Sequence, residues 1–206
     1  MGTDVDTRPV GPGGLTELAS LFESQRSTRH CWCTAFCVTR SQFAAGWFGG
    51  GNRRRFEAMA TANASPMGIL ALVAGEPVGW CACGPRSRYT VAIGGRSSML
   101  VTRSRAEDES VWLLPCLFVR AGHRGHGITH ALVRAAVELA RREGAFAIEG
   151  WPVASSDQGS ADAFLGREEV FAELGFRCVE RPNRQRAIMR LELRQTAKWG
   201  QTRRDC

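Results

Sequence analysis

Apolar residues follow two different spacings along the chain, and each spacing predicts a different element. The run VWLLPCLFV at 111–119 has no charged position, which is typical of a strand buried on both faces. Its Pro115 is unusual, since a central strand accepts proline only at a bulge or where a neighbouring strand has moved away. Residues 128–142 repeat their apolar side chains at helical spacing, with charges opposite, which predicts an amphipathic helix. A glycine-rich loop joins this strand to this helix.

The remaining segments predict further elements of one mixed sheet with helices. Apolar periodicity predicts helices over 15–25, 52–62 and 166–174. Apolar runs predict a hairpin over 67–83 and strands over 146–153, 176–180 and 187–193, and the aromatic, cysteine-rich residues 31–38 also fit a strand. We expect no regular structure in the lead-in 1–14, the loop 41–51, the connections 86–109 and 154–163, or the basic tail 194–206. Because strands and helices alternate only in part, the predicted class is α/β (α+β).

Composition narrows the kind of protein. The 206 residues are 44% hydrophobic, which supports one globular domain, expected over 15–193, and excludes wholesale disorder. No apolar run approaches the roughly 20 residues of a membrane-spanning helix. The first residues carry acids, prolines and glycines where a signal peptide is apolar. We therefore expect a cytoplasmic protein with no membrane partner.

The charge balance favours an anionic ligand. The formal net charge is +7, and Lys198 is the only lysine, so the positive charge is almost entirely arginine. Arginine presents a planar fork that suits phosphate and carboxylate groups. The basic residues are spread along the chain and form no stripe, so nucleic acid is not the expected partner.

Eight cysteines include two pairs with C-x-C spacing, Cys31/Cys33 and Cys81/Cys83. On strands, each pair would point to one face, and four thiolates converging in this way could bind zinc. Zinc sites usually have longer spacings, however, and cysteine is commonly a small buried residue. We therefore expect reduced, buried thiols and no metal, with a zinc site as the alternative.

The loop between the predicted strand and helix has the features of an anion site. A strand that ends in a glycine-rich turn and opens a helix presents unpaired N–H groups and the positive end of the helix dipole. Gly125 and Gly127 permit close approach, and Arg124 adds charge. The loop has no lysine and is not a P-loop, and His130 stands where a dinucleotide-binding fingerprint requires its third glycine.

The segment Arg124-Gly125-His126-Gly127-Ile128-Thr129 resembles the Q/R-x-x-G-x-G/A motif of the GCN5-related N-acetyltransferases, the GNAT superfamily. The resemblance extends over about 66–193 and includes the sequence VFAELGF at 170–176, which is similar to the family's L-Y-x-x-x-G-F. Thr129 departs from the small residue that usually ends the motif. The resemblance implies a mixed, mostly antiparallel sheet flanked by helices, with splayed central strands and acetyl-CoA as the acyl donor.

The resemblance also implies the residues that bind the donor. The pantetheine arm would lie along the strand residues Leu117, Phe118 and Val119, with the backbone groups of Leu117 and Val119 pairing with it. The pyrophosphate would lie against the backbone amides of six loop residues, Arg124, Gly125, His126, Gly127, Ile128 and Thr129. In the family the strand before the loop carries a bulge and splays from its neighbour, which suits Pro115.

Candidate catalytic residues are harder to assign, because Phe171 stands where the family often has a tyrosine general acid, and phenylalanine donates no proton. Tyr89, the only tyrosine, could replace it. Glu149 is the candidate base, since a carboxylate in an apolar strand must be hydrated or paired; a salt bridge with an arginine explains it equally well, and water could then serve as the base. Cys116 is a third candidate, as a thiol in the cleft.

The expected activity is transfer of an acetyl group to a primary amine by direct attack in a ternary complex. The acceptor would be a small molecule or a peptide, and a homodimer is a further expectation, as dimers are common in the family. One alternative is a regulatory module that binds CoA without turnover. Others are a different acyl-CoA donor and an acceptor amine on protein or linked to RNA.

Overall fold

The computed structural model describes residues 4–26, 28–94, 104–153 and 164–193. They form a seven-stranded sheet in the order β1-β2-β3-β4-β5-β7-β6, with one parallel pair, β4 and β5, among antiparallel neighbours. The strands are β1 (Asp6–Pro9), β2 (Gly68–Val73), β3 (Glu76–Pro85), β4 (Val111–Val119), β5 (Ala147–Gly150), β6 (Arg177–Asn183) and β7 (Arg186–Glu192). This is the mixed, mostly antiparallel sheet that the motif implied.

Helices cover both faces of the sheet. They are α1 (Leu15–Glu23), α2 (Arg40–Ala45), α3 (Gly51–Ala62), α4 (Thr90–Ile93), α5 (Ile128–Arg142) and α6 (Glu168–Glu173). On one face the apolar stripe of α5, including Leu132 and Ala136, packs with Phe171 of α6. On the other face α1 and α3 pack over β2 and β3 around Phe22, Phe56 and Trp80. The predicted helices 15–25, 52–62, 128–142 and 166–174 are confirmed, each within a few residues.

The centre of the sheet is interrupted where Pro115 predicted it. Strands β4 and β5 pair from Val111 to Leu114, and β5 ends at Gly150, whereas β4 continues to Val119. The register between β3 and β4 also shifts here, because one residue of β3 lies opposite two of β4, Leu114 and Pro115. A bulge therefore places Pro115 where no ladder hydrogen bond is required, and β4 leaves β5 beyond it.

Four expectations are wrong. Within the lead-in 1–14, residues 6–9 form β1 on the edge of the sheet, because the open edge of β2 pairs with this backbone whatever its side chains. Residues 31–38 are not a strand but a succession of turns with a 3-10 turn over Thr34–Phe36. Helix α2 lies largely in the stretch 41–51, which we expected to be a loop, and the short helix α4 lies in the connection 86–109. The connection 154–163 and the tail 194–206 lie outside the described residues.

Candidate functional site

The loop between β4 and α5 presents a row of unpaired backbone donors. Gly125 and Gly127 have left-handed backbones, with φ of 79° and 76°, and nothing lies within 4 Å of a Cβ built at either position. Gly127 is the N-cap of α5 and has no side-chain cap. Among the described residues, the N–H groups of 125–130 donate to no carbonyl or side chain. The loop is therefore shaped to accept an anion with its backbone.

Side chains hold this loop against the sheet. Arg124 Nε donates to the Val119 carbonyl at 3.2 Å, which ties the loop to the last residue of β4. Arg124 and His126 are otherwise exposed, and Thr129 is half-buried. Ile128 is buried against β3 and fixes the first turn of α5. The predicted donor-binding residues thus lie together, with Leu117, Phe118 and Val119 on the half of β4 that β5 leaves.

Phe171, at the family's tyrosine position, lies at the point where β4 and β5 separate. Its ring covers Gly150 so closely that any Cβ there would overlap it, and it makes an edge contact with Phe176 at 5.1 Å between ring centroids. The ring is fully buried. Phe171 therefore supports the end of β5 by packing alone.

Glu149 is the centre of a buried ionic cluster. Its side chain is 6% exposed, and its two oxygens lie 2.9 Å from Arg190 Nη1 and 3.4 Å from Arg86 Nη1. Burial by itself would lower the pKa of Arg190, but hydrogen bonds to Glu192 and Glu149 outweigh this and raise it above its ordinary value. Both oxygens of Glu149 thus face guanidinium groups, which is the salt-bridge explanation of this carboxylate. Its role as a base stays a prediction that this geometry does not favour.

Arg86 completes the cluster from the connection before β4. Its side chain is 1% exposed and lies 3.1 Å from Glu107 and 3.4 Å from Asp108, as well as next to Glu149. A guanidinium this deeply buried requires such partners, because desolvating an unpaired charge is very costly. Sequence reasoning missed Arg86 because it lies in a polar, arginine-rich stretch. Arg190 carried a signal that could have identified it as a partner, because it lies opposite Glu149 on the neighbouring strand.

Tyr89 is buried beside the central strands. It packs with Leu113 and Trp151, and its hydroxyl has no hydrogen-bond partner among the described residues. Burial raises the pKa of this phenol well above its ordinary value of 10.0. Tyr89 therefore keeps its proton, as a general acid must, and its role as the acid stays a prediction.

Cys116, the third catalytic candidate, contacts another thiol. Cys33 donates an S–H hydrogen bond to it, with 3.4 Å between the two sulfurs. Both side chains belong to the core under α1 and α3. Within the described part of the chain, no group of three or more His, Cys, Asp or Glu residues is placed to hold a metal ion. The contact of Cys33 with Cys116 could not be predicted from the sequence. Cys33 lies in a turn and not on the expected strand, so no strand pairing indicates its neighbour.

Comparison with known proteins identifies the family. The family model for the GNAT acetyltransferases matches residues 19–167, well over half of the chain. The chain belongs to the GNAT acetyltransferase family. It is therefore an acetyltransferase by family, and the loop at 124–129 lies where its motif predicted. No sequence among curated proteins matches the chain significantly.

Solved structures of this family share the fold. The yncA protein of Salmonella typhimurium, solved with its cofactor acetyl-CoA, is 14% identical, with a TM-score of 0.56 over 95% of this chain and 97% of that one. A ribosomal-protein-alanine N-acetyltransferase of Brucella melitensis is 15% identical, with a TM-score of 0.53 over 91% and 99%. The PaiA N-acetyltransferase of Thermoplasma acidophilum, in complex with coenzyme A, is 10% identical, with a TM-score of 0.51 over 92% and 99%.

Among the described residues, no helix has the length and hydropathy needed to cross a membrane.

Proposed function

We propose that this GNAT acetyltransferase moves the acetyl group of acetyl-CoA to a primary amine by direct attack in a ternary complex. The row of unpaired N–H groups over residues 125–130, next to the half of β4 that does not pair with β5, carries the proposal. Two of the structural neighbours hold acetyl-CoA or coenzyme A, which supports the same donor here.

The residues present fit a CoA thioester. The amides of the loop and the N-terminal end of α5 would bind the pyrophosphate, with Arg124 free to turn its outer nitrogens toward a phosphate. The backbone of Leu117 and Val119, on the half of β4 that β5 leaves, would hold the pantetheine arm. When bound, acetyl-CoA supplies an activated acyl group and a thiolate leaving group. An N–H group of β4 near the bulge would stabilise charge on the acyl oxygen.

The amine acceptor must lose its proton before or during attack. Because both oxygens of Glu149 are paired with arginines, we propose that water removes this proton. Tyr89 is the candidate acid for the departing thiolate, since its burial keeps it protonated. Phe171 cannot replace it, and Cys116 is left without a catalytic role in this proposal.

A regulatory module that binds CoA without turnover is the second candidate. It is favoured by one observation, the packed phenylalanine at the position where the family often has its acid. The two functions share the donor site and differ in turnover, so a binding measurement followed by an activity screen separates them.

The test of the donor site is calorimetric titration of acetyl-CoA into wild type, Gly125→Asp and Gly127→Asp. A carboxylate in the loop would oppose the pyrophosphate, and we expect micromolar binding by wild type to weaken about tenfold or more. Gly125→Asn and Gly127→Asn are matched controls, because asparagine tolerates a left-handed backbone and adds no charge. They should retain most of the affinity.

Two results would overturn the proposal. Failure of a well-folded wild type to bind acetyl-CoA would leave the loop with a structural role alone. Equal loss of binding in the aspartate and asparagine variants would mean that backbone strain, and not charge at a phosphate site, is responsible. If wild type binds acetyl-CoA, release of free thiol in the presence of a panel of primary amines decides between an enzyme and a regulatory module.

A further inference from the structure

Two thiols that are far apart in the sequence meet in the core. The sulfur of Cys33 lies 3.4 Å from that of Cys116, across a separation of 83 residues. Each residue is only 6% exposed. The sulfurs would need to approach by about 1.4 Å more to form a disulfide bond, a shift that side-chain rotation can supply in part.

The backbone around Cys33 is held in an uncommon conformation. Trp32 and Cys33 both have left-handed φ angles, 48° and 49°, which cost free energy in residues other than glycine. The buried ring of Trp32 anchors them by edge contacts with Phe22 at 5.3 Å, and its Nε1 donates to the Arg29 carbonyl at 3.1 Å. The packing of Trp32 therefore offsets the free-energy cost of these backbone conformations and holds Cys33 next to β4.

Cys116 is placed where β4 changes partners. It follows Pro115 at the bulge and lies two residues beyond Leu114, the last residue of β4 that pairs with β5. Leu117, the next residue, belongs to the proposed pantetheine-binding segment. The contact between the two thiols thus joins the turns at 28–38 to the strand that would hold the donor.

We propose that Cys33 and Cys116 form a reversible disulfide bond that links the turns at 28–38 to β4. With hydrogen peroxide as oxidant, one sulfur attacks the O–O bond and becomes a sulfenic acid, releasing one water. The second thiol then displaces the hydroxyl group as another water, and the S–S bond forms. Two thiols are oxidised and one peroxide is reduced to two waters. A dithiol reductant returns both thiols.

The geometry favours this pair over Cys31 and Cys37, the other cysteines of the same turns. Among the described residues, neither of these two makes a side-chain hydrogen bond to another sulfur, and Cys31 instead hydrogen-bonds with the backbone of Cys33 and Ala35. Cys178 is exposed and lies on β6, at the far edge of the sheet. It provides an internal control for the action of the oxidant.

The test is peptide mapping of the whole protein after peroxide treatment. Trypsin should release residues 30–40, with Cys31, Cys33 and Cys37, and residues 106–120, with Cys116 alone. We expect these peptides to be joined in wild type, to separate after reduction, and to remain joined in the double variant Cys31→Ser/Cys37→Ser. Cys33→Ser should abolish the link, and Cys33→Ala repeats this test if a buried hydroxyl impairs folding.

Three outcomes would overturn the proposal. The first is absence of the link in wild type at peroxide levels that oxidise Cys178. The second is a link that survives in a folded Cys33→Ser variant, and the third is loss of the link in the double variant while its fold is retained. If every variant misfolds, fragmentation of the linked wild-type peptides shows which cysteine of 30–40 is joined to Cys116, and assignment to Cys31 or Cys37 would overturn the proposal.

A regulatory effect on donor binding would follow, and this part rests on the proposed function. We expect the acetyl-CoA dissociation constant to change about threefold or more on oxidation of wild type, and to stay unchanged in Cys33→Ser. Equal affinity in both redox states would overturn the regulatory effect. No binding in the reduced protein would overturn the proposed function and leave a mapped disulfide standing.

Discussion

Glu149 shows how a single buried carboxylate supports two hypotheses. An acid in an apolar strand must be hydrated in a cleft or paired with a cation, and sequence alone does not decide between them. In the structure each of its two oxygens forms an ion pair with an arginine. Arg86 comes from the connection before β4, and Arg190 comes from β7. These ion pairs link three parts of the chain at the centre of the sheet.

We predict that Glu149→Gln lowers the free energy of unfolding by about 3 kcal/mol, because it removes the buried anion that two largely buried guanidinium groups share. Urea denaturation measures the loss. Glu107→Gln is the matched control, since Glu107 contacts the same two arginines but its side chain is 36% exposed. That change should cost about 1 kcal/mol or less.

The same variant separates the two roles of Glu149. A structural role predicts that kcat of the folded Glu149→Gln protein is close to that of wild type. If Glu149 is the general base, kcat falls by a factor of about 100 or more and the corresponding pH dependence disappears, while stability changes little. Such a result would restore the catalytic assignment.

Helix α5 depends on a close approach to β3. A Cβ added at Gly79 would lie 2.9 Å from Ile128 Cγ2 and 3.1 Å from Leu132 Cδ1, and these are side chains of the first turns of α5. The helix therefore lies almost directly on the backbone of β3. Because the loop at 124–129 opens into this helix, the same contact sets the position of the proposed phosphate site.

We predict that Gly79→Ala destabilises the protein by about 1–3 kcal/mol and weakens acetyl-CoA binding, since the extra methyl group must push the helix from the sheet. Urea denaturation and calorimetry measure the two effects. Gly13→Ala is the control, because its Cβ meets no atom within 4 Å. That change should shift stability by less than about 1 kcal/mol. Unchanged stability of Gly79→Ala would refute the close packing.

Elements with a strong pattern were predictable, and elements shaped by their neighbours were not. The apolar run of β4, the stripe of α5 and the glycine loop each carry their own signal, and the residues of the proposed donor site could be placed in the fold from them. The sequence of β1 predicts a loop, because it contains the charged residues Asp6 and Arg8. It forms a strand because its backbone pairs with the open edge of β2. Helix α2 had a readable signal in its capping box, formed by Thr39 and Gln42.

Contacts between distant segments were the least predictable part of the site. Arg86 meets Glu149 across 63 positions, and Cys33 meets Cys116 across 83. No local spacing encodes either contact, because both depend on how the sheet brings its connections together. The ion pair between Glu149 and Arg190 was the exception. These residues face each other on neighbouring strands, where opposite charges often pair.

Across the protein, the unusual composition predicts sensitivity to alkali. The chain has one lysine and one tyrosine but eight cysteines, so thiols dominate its titration above neutral pH. Burial raises the pKa of Cys31 and of Cys37 from 9.0 to about 12. The pKa of Cys33 is raised mainly by its hydrogen bond with Cys116, and the pKa values of Cys81 and Tyr89 mainly by burial.

These raised pKa values predict that stability falls as the pH rises above about 9. In the unfolded chain the thiols ionise near pH 9, whereas in the folded protein Cys31 and Cys37 keep their protons up to about pH 12, and the pKa values of Cys33 and Cys81 are also raised well above 9. Deprotonation therefore stabilises the unfolded state first. Each buried thiol should remove about 1 kcal/mol of unfolding free energy between pH 8 and pH 10, so that four thiols remove several kcal/mol together.

Urea denaturation under a phosphine reductant, from pH 7.5 to pH 10.5, measures this slope. The double variant Cys31→Ser/Cys37→Ser should lose about half of it, because serine does not ionise in this range, whereas Cys178→Ser removes an exposed thiol and should leave it unchanged. Arginines stay charged throughout and contribute nothing. A flat profile for wild type up to pH 10.5 would mean that the thiols of the core are hydrated enough to ionise in the folded protein.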